Sequence, residues 1–338
     1  MALVFLSAPA CSAQDWGQQV EAAFSAAGNH DVIVDMTHLS GAQTSTVNPF
    51  AHLSGSANVV LKIGCYNITT TAPWVILAAH VRVEFCSPDS ELIAAATFPR
   101  APLITVGNNT MPIQDVLIQY GYLNCENVAG CTAYVGNSLN EFAGLRHVNI
   151  GNTEGGSQAA IEINGTTLTN GHYILEDVQI VDVGANDCID VVANGVNQHR
   201  IHDITCNNSS GKPTGKAGIH ISAAGMSQTD AVIERVHVEG FNDGVFFDNR
   251  VLGTARDVDC TNECTNGVHI GASSCSDIVL SAVTVTSAAN VIKNDCLGKN
   301  VPNIAGGIFR TLSLYSQSNY GGNPPHATYW NGAQWIMD

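Results

Sequence analysis

From about residue 113 to residue 316, short runs of alternating apolar and polar residues return again and again along the chain. One run has the form Gly-apolar-x-apolar and occurs as Gly218-Ile219-His220-Ile221, Gly244-Val245-Phe246-Phe247 and Gly267-Val268-His269-Ile270. Another occurs as Glu176-Asp177-Val178-Gln179-Ile180, Arg235-Val236-His237-Val238 and Arg256-Asp257-Val258-Asp259-Cys260. A period of two is the pattern of a half-buried strand. Equivalent apolar residues recur about every 22 to 32 residues, inside the range of solenoids and repeat arrays. Asn164-Gly165, Asn194-Gly195 and Asn266-Gly267 read as turns between the runs. No helical pattern separates the strands, which excludes leucine-rich and helix-pair solenoids. The pattern therefore predicts an all-β chain, a right-handed parallel β-helix with three strands per coil.

The N-terminal region differs. Val20, Ala23, Phe24 and Ala27 fall on one face at helical spacing, and Gly28 is a suitable terminator, so residues 15–28 are predicted to form a helix. Strands follow around Val32-Ile33-Val34, residues 59–63 and residues 81–85. A helix over the first coil would cover an otherwise open strand edge. Residues 14–316 are accordingly read as one β-helix domain with an N-terminal helical cap. Residues 317–338 break the repeat with Gly321-Gly322, Pro324-Pro325, Tyr329, Trp330 and Trp335. They are read as an aromatic tail over the last coil, with a sugar-stacking platform or a homo-oligomer interface as alternatives to a simple monomer. Leu3 to Ala10 has the apolar core and small-residue exit of a signal peptide, so residues 1–13 are read as its remnant. A buried first strand is the other reading. No later stretch reaches the roughly 18 apolar residues of a membrane span.

A solenoid stacks equivalent positions into ladders, so neighbours can be assigned from the repeat alone. With Ile161/Ile163, Ile189/Val191, Ile219/Ile221, Val245/Phe247 and Val268/Ile270 pointing inward, the residues between them point outward. That outward column reads Glu162, Asp190, His220, Phe246, His269, at about 4.8 Å per coil. Its flanking column reads Asn164, Val192, Ser222, Asp248, Gly271. Glu162 beside Asp190 would make a protonated and an ionised carboxyl, an acid/base pair. His220 is a second proton carrier. Phe246 offers an apolar face to a sugar ring, with His269 beyond it and Asp187 and Asp248 at the flanks. A second outward column, Asn149, Gln179, Thr205, His237, Asp259, Thr284, is mixed and polar and reads as a solvated face.

Composition narrows the partners. The formal net charge is −16, with 13 Lys and Arg against 29 Asp and Glu, which argues against nucleic acid. A uronate-bearing glycan would need local cations, for which Arg200, Lys212 and Lys216 are candidates. Asp182, Asp187 and Asp190 are candidates for a calcium site, though three Asp around a turn are also ordinary turn formers; no cofactor is otherwise expected. Eleven cysteines suit an oxidising compartment, secreted, extracellular or periplasmic. Cys65/Cys86, Cys125/Cys131, Cys260/Cys264 and Cys275/Cys296 are plausible local pairs, and Cys206 and Cys260 at inward positions also suit buried free thiols.

The stretch Gly184-Ala185-Asn186-Asp187-Cys188-Ile189-Asp190-Val191, then His202-Asp203-Ile204-Thr205-Cys206, then Ala217-Gly218-Ile219-His220-Ile221-Ser222 resembles the polygalacturonase run. That run has Gly-Asp-Asp-Cys-Ile, a strand ending in Thr-Cys, and Gly-His-Gly-Ile-Ser-Ile. Helix, strands and coils together look like the pectate-lyase-3 or polygalacturonase-related β-helix superfamily. The resemblance implies a parallel β-helix acting on polysaccharide, with Asp187 at one of the paired catalytic aspartates. Asn186 stands at the other, and Ala217 where that family has histidine. The expected function is a glycoside hydrolase or polysaccharide lyase. The alternatives are a non-catalytic glycan-binding or adhesive surface protein and a tailspike-like or filament-like assembly unit.

Overall fold

In a computed structural model of the chain, the described residues are 15–295, with interruptions at 54–56, 109, 111, 141, 157, 166–172, 194, 209–214, 225–227, 262–263, 275–277 and 286–289. Short strand segments are described at 2–4, 303–304, 310–311, 328–330 and 335–337. The fold is an all-β parallel solenoid with one short helix near its N-terminus. It divides into two compact units, Met1–Ile174 and Leu175–Asp338.

The first unit contains the expected helix, Trp16–Ala27. Asp15 caps it by accepting a hydrogen bond from the Gln18 N–H at 3.1 Å, satisfying an amide that has no partner inside the helix. Gly28, at φ 58°, ends it, and its N–H donates to the Phe24 carbonyl. The apolar stripe Val20, Ala23, Phe24 and Ala27 is buried, as the spacing predicts, together with Trp16. Trp16 stacks on Trp74 with ring centroids 5.4 Å apart, and its indole N–H donates to the Tyr66 hydroxyl. Val34, Leu61, Val83 and Ile118 then stack in parallel register as one buried ladder. A second ladder runs Trp74, Ile104, Tyr134, Ile161. Ala2–Val4 lies as a parallel strand beside Val32–Val34. Residues 5–14 lie outside the described residues.

In the second unit the strands Ile189–Ala193, Gly215–Ala223, Phe241–Phe247, Asn266–Ile270 and Asn290–Asn294 form one parallel sheet. The other sheet is built from longer strands, Gly195–Asn207, Thr229–Glu239, Val251–Thr261 and Ile278–Val285. Each is bent at a non-glycine residue of positive φ: Asp203, Arg235, Asp257 and Ala282. Pairing stops at that residue and resumes beyond it: His202 faces Glu234, and Ile204 faces Val236. One long strand thus serves two faces, and the separate sheet supplies the third. Asp tolerates this left-handed conformation better than most residues do; Arg235 and Ala282 bear it without that help.

The recurring glycines have a steric cause. A Cβ on Gly244 would lie 2.4 Å from the Gly267 carbonyl oxygen, and one on Gly218 2.5 Å from a Val238 methyl. A Cβ on Gly267 would lie 2.5 Å from Val285 and 2.7 Å from the Val291 carbonyl oxygen. Asn266-Gly267 is therefore not a turn but the first pair of a strand, where the interior leaves no room for a side chain.

Disulfides join Cys65–Cys86, Cys125–Cys131, Cys188–Cys206 and Cys260–Cys264. Three were legible as local pairs. The fourth removes the free-thiol reading of Cys206, and Cys260 is likewise bonded. Cys275 and Cys296 lie outside the described residues. So does most of the tail 317–338, of which Thr328–Trp330 and Trp335–Met337 form an antiparallel pair.

Candidate active site on the second unit

Parallel register places Asp190, His220, Phe246, His269 and Lys293 in one row, one residue per coil. The first four are the last four residues of the expected column. Lys293 extends it and was missed because its strand, Asn290–Asn294, lacks the glycine that marks the others.

His220 is the centre of the row. Its Nδ1 lies 3.1 Å from Asp190 Oδ1 and 3.8 Å from Asp187 Oδ2, and its Nε2 lies 3.4 Å from Asp248 Oδ2. Burial opposes charge on this imidazole, but Asp190, Asp187 and Asp248 outweigh it and raise its pKa. Asp187 is held by the turn before Cys188, where its Oδ1 accepts the Ala217 N–H at 2.8 Å. Burial raises its pKa against the opposing pull of His220 and the Ala217 amide. The cluster thus holds a buried carboxyl that keeps its proton to higher pH, a second carboxylate, and an imidazole biased towards its cation.

Phe246 lies in the expected row but its ring faces are not open. His220 stacks on one face of its ring and His269 on the other, at centroid distances of 5.1 and 4.2 Å and interplanar angles of 13°. Both faces are covered, so no sugar ring stacks there; only the ring edge is presented. His269 is buried, with Nδ1 3.0 Å from Asp243 and Nε2 2.9 Å from Asp295. Sequence reasoning missed both partners. Asp243 precedes the Val245/Phe247 alternation, and Asp295 follows the end of its strand, so neither falls in a column.

Glu162 is in the first unit, where its row is Thr105, Val135, Glu162 and its carboxylate accepts a hydrogen bond from Gln158 at 3.2 Å. Lys216 is exposed and near enough to Asp187 to favour its ionised form. Arg200 is not part of the cluster. It lines a cleft of about 450 Å³ on the other sheet, with His202, Val232, Glu234 and Arg235. There Arg235 grips Asp203 through two hydrogen bonds, of 2.6 and 2.7 Å, and holds that carboxyl far below its ordinary range.

Among the described residues, the donor atoms that converge as a metal could require belong to Asp187, Asp190 and His220, all within 4.8 Å of one another. Asp182 is not in that group. Two oxygens and an imidazole nitrogen suit a transition-series divalent ion better than calcium, which prefers oxygen alone.

No protein-family model, curated protein or solved structure matches the chain. The fold defines it as a disulfide-bonded parallel β-solenoid. No helix among the described residues is long and apolar enough to cross a membrane.

Proposed function

We propose that this protein is a secreted carbohydrate-active enzyme that cleaves an extended polysaccharide lying along the outward row of the second unit. One observation carries this reading: two carboxyls and one imidazole converge within 4.8 Å at a partly exposed point of a regular solenoid face. An array of polar side chains repeated coil by coil suits a polymer better than a small molecule.

The chemistry supported best is glycoside hydrolysis by two carboxyls. Asp187 carries the proton and gives it to the departing glycosidic oxygen as the bond to the anomeric carbon breaks. Asp190, alongside, attacks that carbon and forms a glycosyl ester. Water, losing a proton to the Asp187 carboxylate, then cleaves the ester and restores both groups. Close carboxyls favour this retaining course, since inversion needs about 6.5–9.5 Å to admit a water between them. His220, biased towards its cation by the surrounding carboxyls, steadies the charge on Asp190.

The alternative is a glycan-binding surface protein without turnover. Its support is that each imidazole nitrogen in the row already faces a protein carboxylate. Glycan cleavage assayed on the wild type and on Asp190→Asn decides between the two: turnover lost in the variant supports the enzyme, and binding without product in the wild type supports the surface protein.

A further inference from the structure

His269 has no nitrogen left for chemistry. An ionised carboxylate only accepts hydrogen bonds, so a carboxylate at each nitrogen favours a proton on both and biases the imidazole towards its cation. Its Nδ1 is 3.0 Å from Asp243 Oδ2 and its Nε2 2.9 Å from Asp295 Oδ2. Asp243 is anchored in turn: its Oδ1 accepts from Asn266 Nδ2 at 2.5 Å, and Asn266 Oδ1 accepts from Asn290 Nδ2 at 2.7 Å. Lys293 stands 3.5 Å from the Asp295 carboxylate. The ring of His269 is thus fixed in plane and in rotation by groups on the neighbouring coils.

His220 is held differently. Asp190 Oδ1, though 3.1 Å from Nδ1, is shielded from solvent and receives no aligned hydrogen bond. The Nε2 contact to Asp248 is long, at 3.4 Å. The Asp248 hydrogen bond, being long, and the poorly aligned Asp190 contact hold the plane of this imidazole less firmly than the two short bonds hold His269. The close planar contact of His220 is the ring of Phe246, nearly parallel to it, and the opposite face of Phe246 rests on His269 at 4.2 Å. The faces of a phenyl ring are electron-rich and attract cations, so an imidazole biased towards its cation on each side clamps it.

We infer that Asp243, His269 and Asp295 form a brace that sets, through Phe246, the plane in which His220 meets its carboxylates. The functional consequence rests on the reading of the Asp187–Asp190–His220 cluster as the reaction centre; the brace itself does not. His269 and Phe246 are positioning residues, acting through His220.

The test is nitrogen-15 NMR of the histidine rings in the full chain, with the His220 signals assigned from their loss in His220→Gln. His269→Gln and Phe246→Leu are expected to shift the His220 ring signals and move its titration midpoint, and Phe246→Tyr, which keeps the stack, to restore both. Asp295→Asn, at an exposed carboxylate, gives the same readout in a milder form if a core variant does not fold. On a cleavable glycan the same variants are expected to lower kcat roughly ten- to a hundredfold with KM little changed, the pattern of misplaced reacting groups. Unchanged His220 signals and titration in the folded variants would overturn the brace. Moved signals in a protein that cleaves no glycan would uphold the brace and refute the enzyme.

Discussion

His220 and Asp190 meet across adjacent coils with Nδ1 and Oδ1 3.1 Å apart, and Asp187 closes on the same nitrogen from the turn before the strand. The pair exists because parallel register sets one residue of each coil on the next. Substitution here removes charge and proton transfer without touching the inward ladder. Asp187→Asn is expected to lower turnover roughly a hundred- to ten-thousandfold, the usual worth of a proton-transfer group, and Asp190→Asn, which removes the nucleophile, at least as much, while the chain stays folded. Steady-state kinetics beside thermal melts check this, and a full rate in Asp190→Asn contradicts it.

The cluster also predicts how stability follows pH. The folded pKa values of Asp187 and His220 are both raised. Each group binds its proton more tightly folded than unfolded, so its contribution is complete below the unfolded value and lost as pH rises through the folded one. For His220 the loss starts near the ordinary imidazole value of about 6.5 and continues above it. Asp203 is the opposite case, lowered by Arg235: its contribution is present above the ordinary carboxylate value and lost as pH falls through the folded one. Melting temperatures of the wild type should therefore decline as pH rises above about 6.5, and less steeply in His220→Gln. Equal slopes in the two proteins would show that His220 is not held in its charged form.

The Cys188–Cys206 bridge spans 18 residues and ties the turn carrying Asp187 to the end of a long strand. A loop of that length is worth about 3 kcal/mol in the chain-entropy account. Cys188→Ala with Cys206→Ala is expected to lose about that much stability in denaturant melts and to lose activity before it unfolds. Activity unaffected in the folded double variant would mean that the bridge does not position Asp187.

Gly244→Ala tests the steric account of the repeat. Its Cβ would come 2.4 Å from the Gly267 carbonyl oxygen, and backbone cannot swing aside as a flexible side chain can. The expected cost is about 1–3 kcal/mol, as for overpacked cores, measured by denaturant melts. A neutral effect would mean that the coils can shift apart there.

The solenoid and the row Asp190, His220, Phe246, His269 were legible in the chain because period-two alternation fixes which face a residue takes, and the repeat fixes its neighbour. What lay off the strand pattern was not legible. Asp243 and Asp295 reach His269 from outside the alternating run, so no column contained them. The pairing of Cys188 with Cys206 joins a turn to a strand on another sheet. The bend at Asp203, Arg235 and Asp257 carries no glycine or asparagine to mark it. The stacking of Phe246 between two imidazoles follows from ring orientation, which a column of residue types does not contain.

The most direct test of the central claim is incubation of the purified protein with a panel of neutral and uronate polysaccharides, with and without added divalent ions. New reducing ends are followed together with the ultraviolet absorbance of an unsaturated uronide, in wild type and Asp190→Asn. The account predicts new reducing ends without absorbance in the wild type and none in the variant. Absorbance rising with the reducing ends would mean elimination rather than hydrolysis, and a folded wild type that binds glycan but releases no product would contradict the claim that this row cleaves it.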